Sequence, residues 1–229
     1  MSKKFLLAAL AGLLVLGGCT SMPQEPIAMQ PAVLEKPETR VGVALAVLPK
    51  VDTYFPGASC LVCYAAASAA NMTLTTHTQK LPTGDIAQIK DDVAALLRRK
   101  GYRPVLLPAT FDVKKLPSGD GAPNKPPYDF SALGRQYGID KLIVIQFTQI
   151  GIARNYSDYF PTGIPQGTVY GTGYMVDLAD NTYDWYQPIK EVRNAAGVWD
   201  EPPDYPGLTN AYFQAVEGAR DAVLKPFSK

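Results

Sequence analysis

Cys60 and Cys63 flank Leu61 and Val62, and this spacing is the sharpest chemical feature of the 229-residue chain. Two thiols so placed can close a disulfide in an oxidising compartment. They can also exchange electrons if the first stands at a helix N-terminus after a strand, where its thiolate is favoured. Tyr54–Phe55–Pro56–Gly57–Ala58–Ser59 leads into the pair, which gives the redox reading a physical basis. Leu-Val is not the usual filling of a redox-active pair, so a structural disulfide is the expectation. A metal would need two further soft ligands, and His77 is the chain's one histidine. No metal and no cofactor are therefore expected. Any Ser-His-Asp set would have to use His77, which reads as a surface or hydrogen-bonded side chain, and no G-x-S-x-G elbow occurs. Gly167, Gly171 and Gly173 precede no Lys-Ser/Thr, so they read as points of close strand approach rather than a phosphate loop. Asp177, Asp180 and Asp184, or Asp200, Glu201 and Asp204, are near neighbours in sequence. Spacing within a turn does not make them a glycosidase pair. No catalytic residue is assigned, and the expectation is a protein that is not an enzyme.

The aromatic side chains are the next signal. Thirteen tyrosines, eight phenylalanines and two tryptophans gather at 156–160, 170–174, 183–186 and 199–205. Rigid amphipathic rings favour protein recognition, so Tyr156, Tyr159, Phe160, Trp199 and Tyr205 form the candidate interaction surface. The alternative is that these rings cover the core and the sheet. A stacking platform for a glycan, peptidoglycan included, is the competing ligand class. Lys+Arg total 22 against 21 Asp+Glu, which leaves no field to attract nucleic acid. With 47% hydrophobic and 19% charged residues, the chain has the composition of a folded body.

The N-terminus is an address. Lys3 and Lys4 precede an apolar run from Phe5 to Leu16, too short to span a bilayer as a helix. Residues 1–18 read as a signal peptide. Leu16–Gly17–Gly18–Cys19 resembles the lipobox of bacterial lipoproteins. The resemblance implies cleavage before Cys19, a diacylglycerol on its thiol and a further acyl chain on the new amino end. Such an anchor holds stably without help from charge. It also implies sorting by the next residue. Thr20 stands where an inner-membrane lipoprotein typically has aspartate, so the expected location is the outer membrane of a Gram-negative bacterium, facing the periplasm. Residues 19–38 contain Pro23, Pro26, Pro31 and Pro37 and read as an extended tether, with a reach of roughly 50 to 60 Å in polyproline II form.

Residues 39–229 must then form the body that positions the cysteines and rings. Arg40 to Leu48 is valine-rich and bounded by Pro49, and predicts a central strand. The alanines between Gly57 and Asn71 allow a short helix, and the alternation from Met72 to Gln79 predicts a strand. Ile86, Ile89, Val93, Leu96 and Leu97 share one helical face between Asp85 and Lys100, with Gly101 as its stop. Tyr102 to Leu107 predicts a strand, and 111–127, with four prolines, an exposed loop. Asp129 caps a second helix bearing Phe130, Leu133 and Tyr137 and ending at Gly138. Leu142 to Ile150 and Thr168 to Leu178 predict paired antiparallel strands across the 153–166 connection, followed by a strand over Tyr183 to Val192. The segment 197–207 reads as a proline-rich surface turn. Leu208 to Leu224 closes the chain as a helix with Leu208, Ala211, Tyr212, Ala215, Ala219, Ala222 and Val223 inward. The sum is a single α/β (α+β) domain with a mixed or mostly antiparallel sheet under two or three helices.

This order of elements, with Arg99–Lys100–Gly101–Tyr102 and Gly138–Ile139–Asp140 inside it, is similar to the periplasmic domains of small outer-membrane lipoproteins. These include the peptidoglycan-synthase activators, the curli-secretion lipoprotein and the YajG-type lipoproteins. The likeness runs over about residues 40–225. It implies a non-enzymatic adaptor or accessory factor that docks on another envelope protein, held to the membrane by its lipid.

Overall fold

The computed structural model describes residues 23–34 and 38–228. Among these residues eight strands form: β1 (Val41–Leu45), β2 (Asp52–Tyr54), β3 (Val105–Leu106), β4 (Lys141–Ala153), β5 (Tyr156–Ser157), β6 (Phe160–Pro161), β7 (Gln166–Asp177) and β8 (Thr182–Asn194). Five α-helices accompany them there: α1 (Leu61–Ala70), α2 (Met72–Thr78), α3 (Gly84–Arg99), α4 (Ser131–Tyr137) and α5 (Pro206–Leu224). The main sheet has the order β3-β1-β4-β7-β8, with β2 beside the far half of β4. β1 lies parallel to β3 and β4, and β2 parallel to β4. The β4–β7 and β7–β8 pairs are antiparallel. The fold is thus the single α/β domain with a mixed sheet that the sequence predicts.

Alternation along the strands feeds two cores. Val41, Val43, Ile143, Ile145, Met175 and Trp185 face α3 and α5. Ala44, Leu142, Val144, Tyr174 and Val176 face α4 and the segment before it. A bulge between Phe147 and Gln149 shifts the register, so that Ile150 and Ile152 keep to the α3/α5 side after Phe147. α3 buries Ile86, Ile89, Val93, Ala94 and Leu97, with Leu96 only half-buried, and carries Asp85 at its start and Arg98 and Arg99 at its end. α5 starts on Pro206 and buries Leu208, Ala211, Tyr212, Ala215, Val216, Ala219 and Val223. The packed face includes Val216 rather than Ala222, which is half-buried. α5 lies so close to β7 that a Cβ on Gly167 would stand 2.4 Å from the Ala211 carbonyl oxygen, which explains the glycine there.

Four expectations change. Met72–Thr78 is a helix, because Leu74 and Thr78 share one buried face and local alternation yields to that packing. The strand expected over Tyr102 to Leu107 shrinks to Val105–Leu106. The 111–127 stretch is no free loop. Phe111 and Val113 are buried over the second face, Val113–Lys115 makes a 3₁₀ turn, and Ser118 bridges to Tyr128. Finally, residues 23–34, expected within an extended tether, lie on the body. Ile27 exchanges both backbone hydrogen bonds with Tyr186 on the open edge of β8, at 2.8 and 3.0 Å. Met29, Val33 and Leu34 then pack against the α3/α5 core. An edge strand offers unpaired backbone groups, and these apolar residues make it favourable to take them.

Candidate functional site

The end of the sheet where β4 finishes collects most of the sequence's candidates. β2 pairs Tyr54 with Ala153, and the chain then turns through Gly57 into α1. Gly57 has φ +87 and its Cβ would meet the Tyr156 carbonyl oxygen at 1.9 Å, so only glycine lets this turn lie on the β5–β6 hairpin. Tyr156 donates its backbone N–H to Pro56 O at 2.7 Å, and Asp158 to Gly57 O at 3.0 Å. α1 and the hairpin are thereby fixed side by side.

Cys60 and Cys63 form a disulfide, with Cα atoms 5.0 Å apart. Cys60 is the N-cap of α1 and is exposed, whereas Cys63 is only 2% exposed. The backbone N–H of Cys63 donates to Cys60 Sγ at 2.9 Å. The Tyr159 hydroxyl stands 3.7 Å from the same sulfur. Around it, Leu61 is 86% exposed, Val62 65%, Tyr159 51% and Phe160 74%. Tyr64 and Met72 extend this apolar surface along α1 and into α2. From Thr53 to Gln79 the chain holds no Lys, Arg, Asp or Glu. That uncharged run was the sequence signal for Leu61, Val62, Tyr64 and Met72, which a search for aromatic clusters passes over.

Tyr156 does not belong to the surface. It is 7% exposed, lies edge-on to Phe55 at 5.9 Å, and its hydroxyl accepts from Asn71 Nδ2 at 2.7 Å. Alternation along β5 turns Tyr156 inward and Ser157 out; Phe160, paired with Ser157, shares the outer face, and Tyr159 stands exposed in the connecting turn. Trp199 and Tyr205 are half-buried, run parallel to each other (centroids 6.3 Å apart, planes at 6°) and pack partly on the main core. Arg154 lies over the Trp199 ring at 5.0 Å and donates to Asn71 Oδ1 at 2.9 Å. The chain Trp199–Arg154–Asn71–Tyr156 therefore ties the two predicted aromatic groups into one end of the molecule.

Beside it opens a cleft of about 790 Å³ between α2 and the 199–205 turn, lined in part by His77, Lys80, Trp199, Glu201, Asp204 and Tyr205. His77 Nε2 shares a 2.8 Å hydrogen bond with Thr209 Oγ1. Burial lowers its pKa, Lys80 acts in the same direction and Asp204 opposes them. Among the described residues no group of His, Cys, Asp and Glu could hold a metal ion. Nor is any helix among them long and apolar enough to cross a membrane. Cys19 lies outside the described residues.

Fold and site together define a mixed-sheet α/β domain with one largely apolar end built around a half-exposed disulfide. Neither a protein-family model nor a curated protein sequence matches the chain. Among solved structures it is similar to PelC, crystallised as a dodecamer from Paraburkholderia phytofirmans, at 10% identity and a TM-score of 0.35 over 86% of this chain and 95% of that one. It is also similar to lipoprotein GNA1162 from Neisseria meningitidis, at 16% identity and 0.28 over 77% and 95%. The hypothetical protein CT253 from Chlamydia trachomatis gives 10% identity and 0.30 over 82% and 99%. Likenesses this loose say nothing of what this chain binds.

Proposed function

We propose that the protein is a lipid-anchored accessory protein of the bacterial cell envelope that docks another protein on its apolar end. The observation that carries this is the surface of Leu61, Val62, Tyr64, Tyr159 and Phe160, exposed together on two elements fixed side by side. Apolar surface of this kind marks an interaction site. Its position favours a protein over the bilayer. Gln24 donates to Asn124 Oδ1, and the Asn124 carbonyl accepts from Tyr183, so the described chain starts near the opposite end of β8. From Tyr183 to Asn194, β8 spans roughly 36 Å at about 3.3 Å per residue. Four Cα-to-Cα steps lead from Cys19 to Pro23, a reach of at most about 14 Å. An acyl group on Cys19 therefore holds the far end at the membrane and presents the apolar end to the periplasm. Outer-membrane sorting follows from Thr20 under the same lipobox reading.

Two measurements test this. The intact mass of the native protein is expected to show loss of residues 1–18 and a lipid adduct at Cys19; an unmodified mature chain overturns the anchor. Photocrosslinking in intact cells from positions 61 and 159 is expected to give a reproducible protein adduct. Adducts with lipid alone overturn the docking reading. The cleft at Trp199 and Tyr205 supports a second reading, a glycan module. Binding to isolated cell-wall sacculi that disappears in Trp199→Ala would favour it.

A further inference from the structure

The two sulfurs of the disulfide are unequal. Cys60 stands in solvent and Cys63 is buried, so a thiolate arriving from outside meets Cys60 Sγ first. A cross-link over two intervening residues closes a very short loop, for which the expected gain in stability is small. A purely structural bridge therefore explains neither its place nor its exposure. The surrounding Leu61, Val62, Tyr159 and Phe160 offer extended contact to a polypeptide at the sulfur itself. We infer that the Cys60–Cys63 disulfide is an exchange centre, which passes its oxidising equivalent to a cysteine-bearing polypeptide docked on the apolar end. The inference rests on the docking reading for its client and adds the chemistry.

The step balances without another reagent. A client thiolate attacks Cys60 Sγ, and the pair of electrons in the Cys60–Cys63 bond leaves with Cys63, which takes a proton from water. A second client thiolate attacks the client sulfur of the mixed disulfide and expels Cys60 as thiolate. The client dithiol becomes a disulfide, and the two electrons reside on the Cys60 and Cys63 thiols. The second expulsion is favoured by the groups already on Cys60. The Cys63 N–H donates to its sulfur at 2.9 Å, the ten-residue helix α1 begins there, and the Tyr159 hydroxyl is 3.7 Å away. Asp158, which accepts from Ser59 Oγ at 2.7 Å, is the charge that opposes it.

The test uses the full chain, oxidised, with a reduced synthetic peptide carrying two cysteines between leucine and phenylalanine residues. Alkylation and mass spectrometry count thiols on both partners. One peptide disulfide per chain is expected, with a rate at least tenfold slower in Leu61→Glu/Phe160→Glu and unchanged there for dithiothreitol. Cys63→Ser is expected to trap the oxidised form of the peptide as a mixed disulfide at Cys60, and Cys60→Ser at least tenfold less. Circular dichroism checks that each variant is folded. A peptide left reduced while dithiothreitol reduces the pair overturns the inference, as does equal trapping by both single variants. Peptide exchange at an unchanged rate in the surface variant overturns the docked client. In cells, crosslinks from position 61 that persist in Cys60→Ser/Cys63→Ser, without any mixed disulfide in Cys63→Ser, leave docking standing and remove the exchange.

Discussion

Tyr156 and Tyr159 are three residues apart and chemically identical, yet they have opposite roles. Tyr156→Ala removes a ring buried against Phe55 and the hydroxyl that accepts from Asn71. Truncating a buried aromatic costs about 3–5 kcal/mol, most of it lost burial and the cavity left behind. At about 3 °C per kcal/mol for a chain of this length, the thermal midpoint should fall by about 9–15 °C. Tyr156→Phe keeps the ring, and Asn71 Nδ2 still donates to Ala67 O, so about 1 kcal/mol is expected. Tyr159 is 51% exposed, and its truncation should stay within about 0.5 kcal/mol, or under about 2 °C. Crosslinking from position 61 should respond the other way. Tyr159→Ala, and more so Tyr159→Ala with Phe160→Ala, should lower the protein adduct several-fold at wild-type stability. Thermal unfolding by circular dichroism, run beside the crosslinking, reads both. A Tyr159→Ala midpoint as low as that of Tyr156→Ala, or a Tyr156→Ala midpoint equal to wild type, would refute the assignment of inner and outer faces to the hairpin.

Four further outcomes follow from the rest of the fold. Val93→Asp places a carboxylate at a fully buried point of α3 and should abolish the cooperative thermal transition; an unchanged transition would show that α3 turns another face inward. Lys141 donates to Asp177 at 2.7 Å and to Asp184 at 2.6 Å, and Lys141→Met leaves those carboxylates facing each other, for an expected loss of about 2–4 kcal/mol in urea unfolding that Asp177→Asn/Asp184→Asn restores in part. Burial alone would raise Asp177, but the Lys141 hydrogen bond, the Ala179 N–H and the Lys141 charge together outweigh it and its pKa is lowered, so its stabilisation is present above the ordinary carboxylate range and fades as pH falls through the lowered value. His77 titrates below its ordinary value, so the unfolded chain takes up its proton first as pH drops below about 6.5. Stability should decline from that point and level off beneath the folded pKa, and His77→Gln should remove this step from a pH series of thermal midpoints.

The long elements were legible because one physical signal dominates each. α3 and α5 show apolar residues at three- and four-residue spacing over many turns, and β4 and β7 carry long β-branched and aromatic runs. Met72–Thr78 misled because seven residues give two turns of helix at most, and Thr-rich alternation fits a strand equally well until Leu74 and Thr78 are seen to be buried together. Prolines at 111–127 and 23–34 announced irregular backbone correctly, but irregular is not the same as detached. Phe111, Val113, Met29 and Leu34 are single apolar side chains whose contacts lie far away in sequence, and periodicity has no means to show them. Tyr156 failed for the same reason, since a two-residue strand is too short to reveal which way it alternates.

The candidate site depends on β4 more than on any element that bears its residues. The first half of β4 lies between β1 and β7 and is buried on both faces, which makes it the rigid part of the sheet. Its second half, beyond the bulge, swaps β1 for β2 as its parallel neighbour. That exchange sends the chain from Tyr54 through Gly57 to the start of α1, while β4 itself runs on through Arg154 into the hairpin. Cys60 reaches Tyr159 because two segments about a hundred residues apart are launched from adjacent points on one strand pair. A surface assembled in this way is stiff where it joins the sheet and apolar where it ends. Groups on a stiff frame lose little freedom on binding, so more of their contact energy remains for a partner. The same frame holds Cys60 Sγ outward and Cys63 Sγ inward, and that inequality gives the pair a direction of exchange.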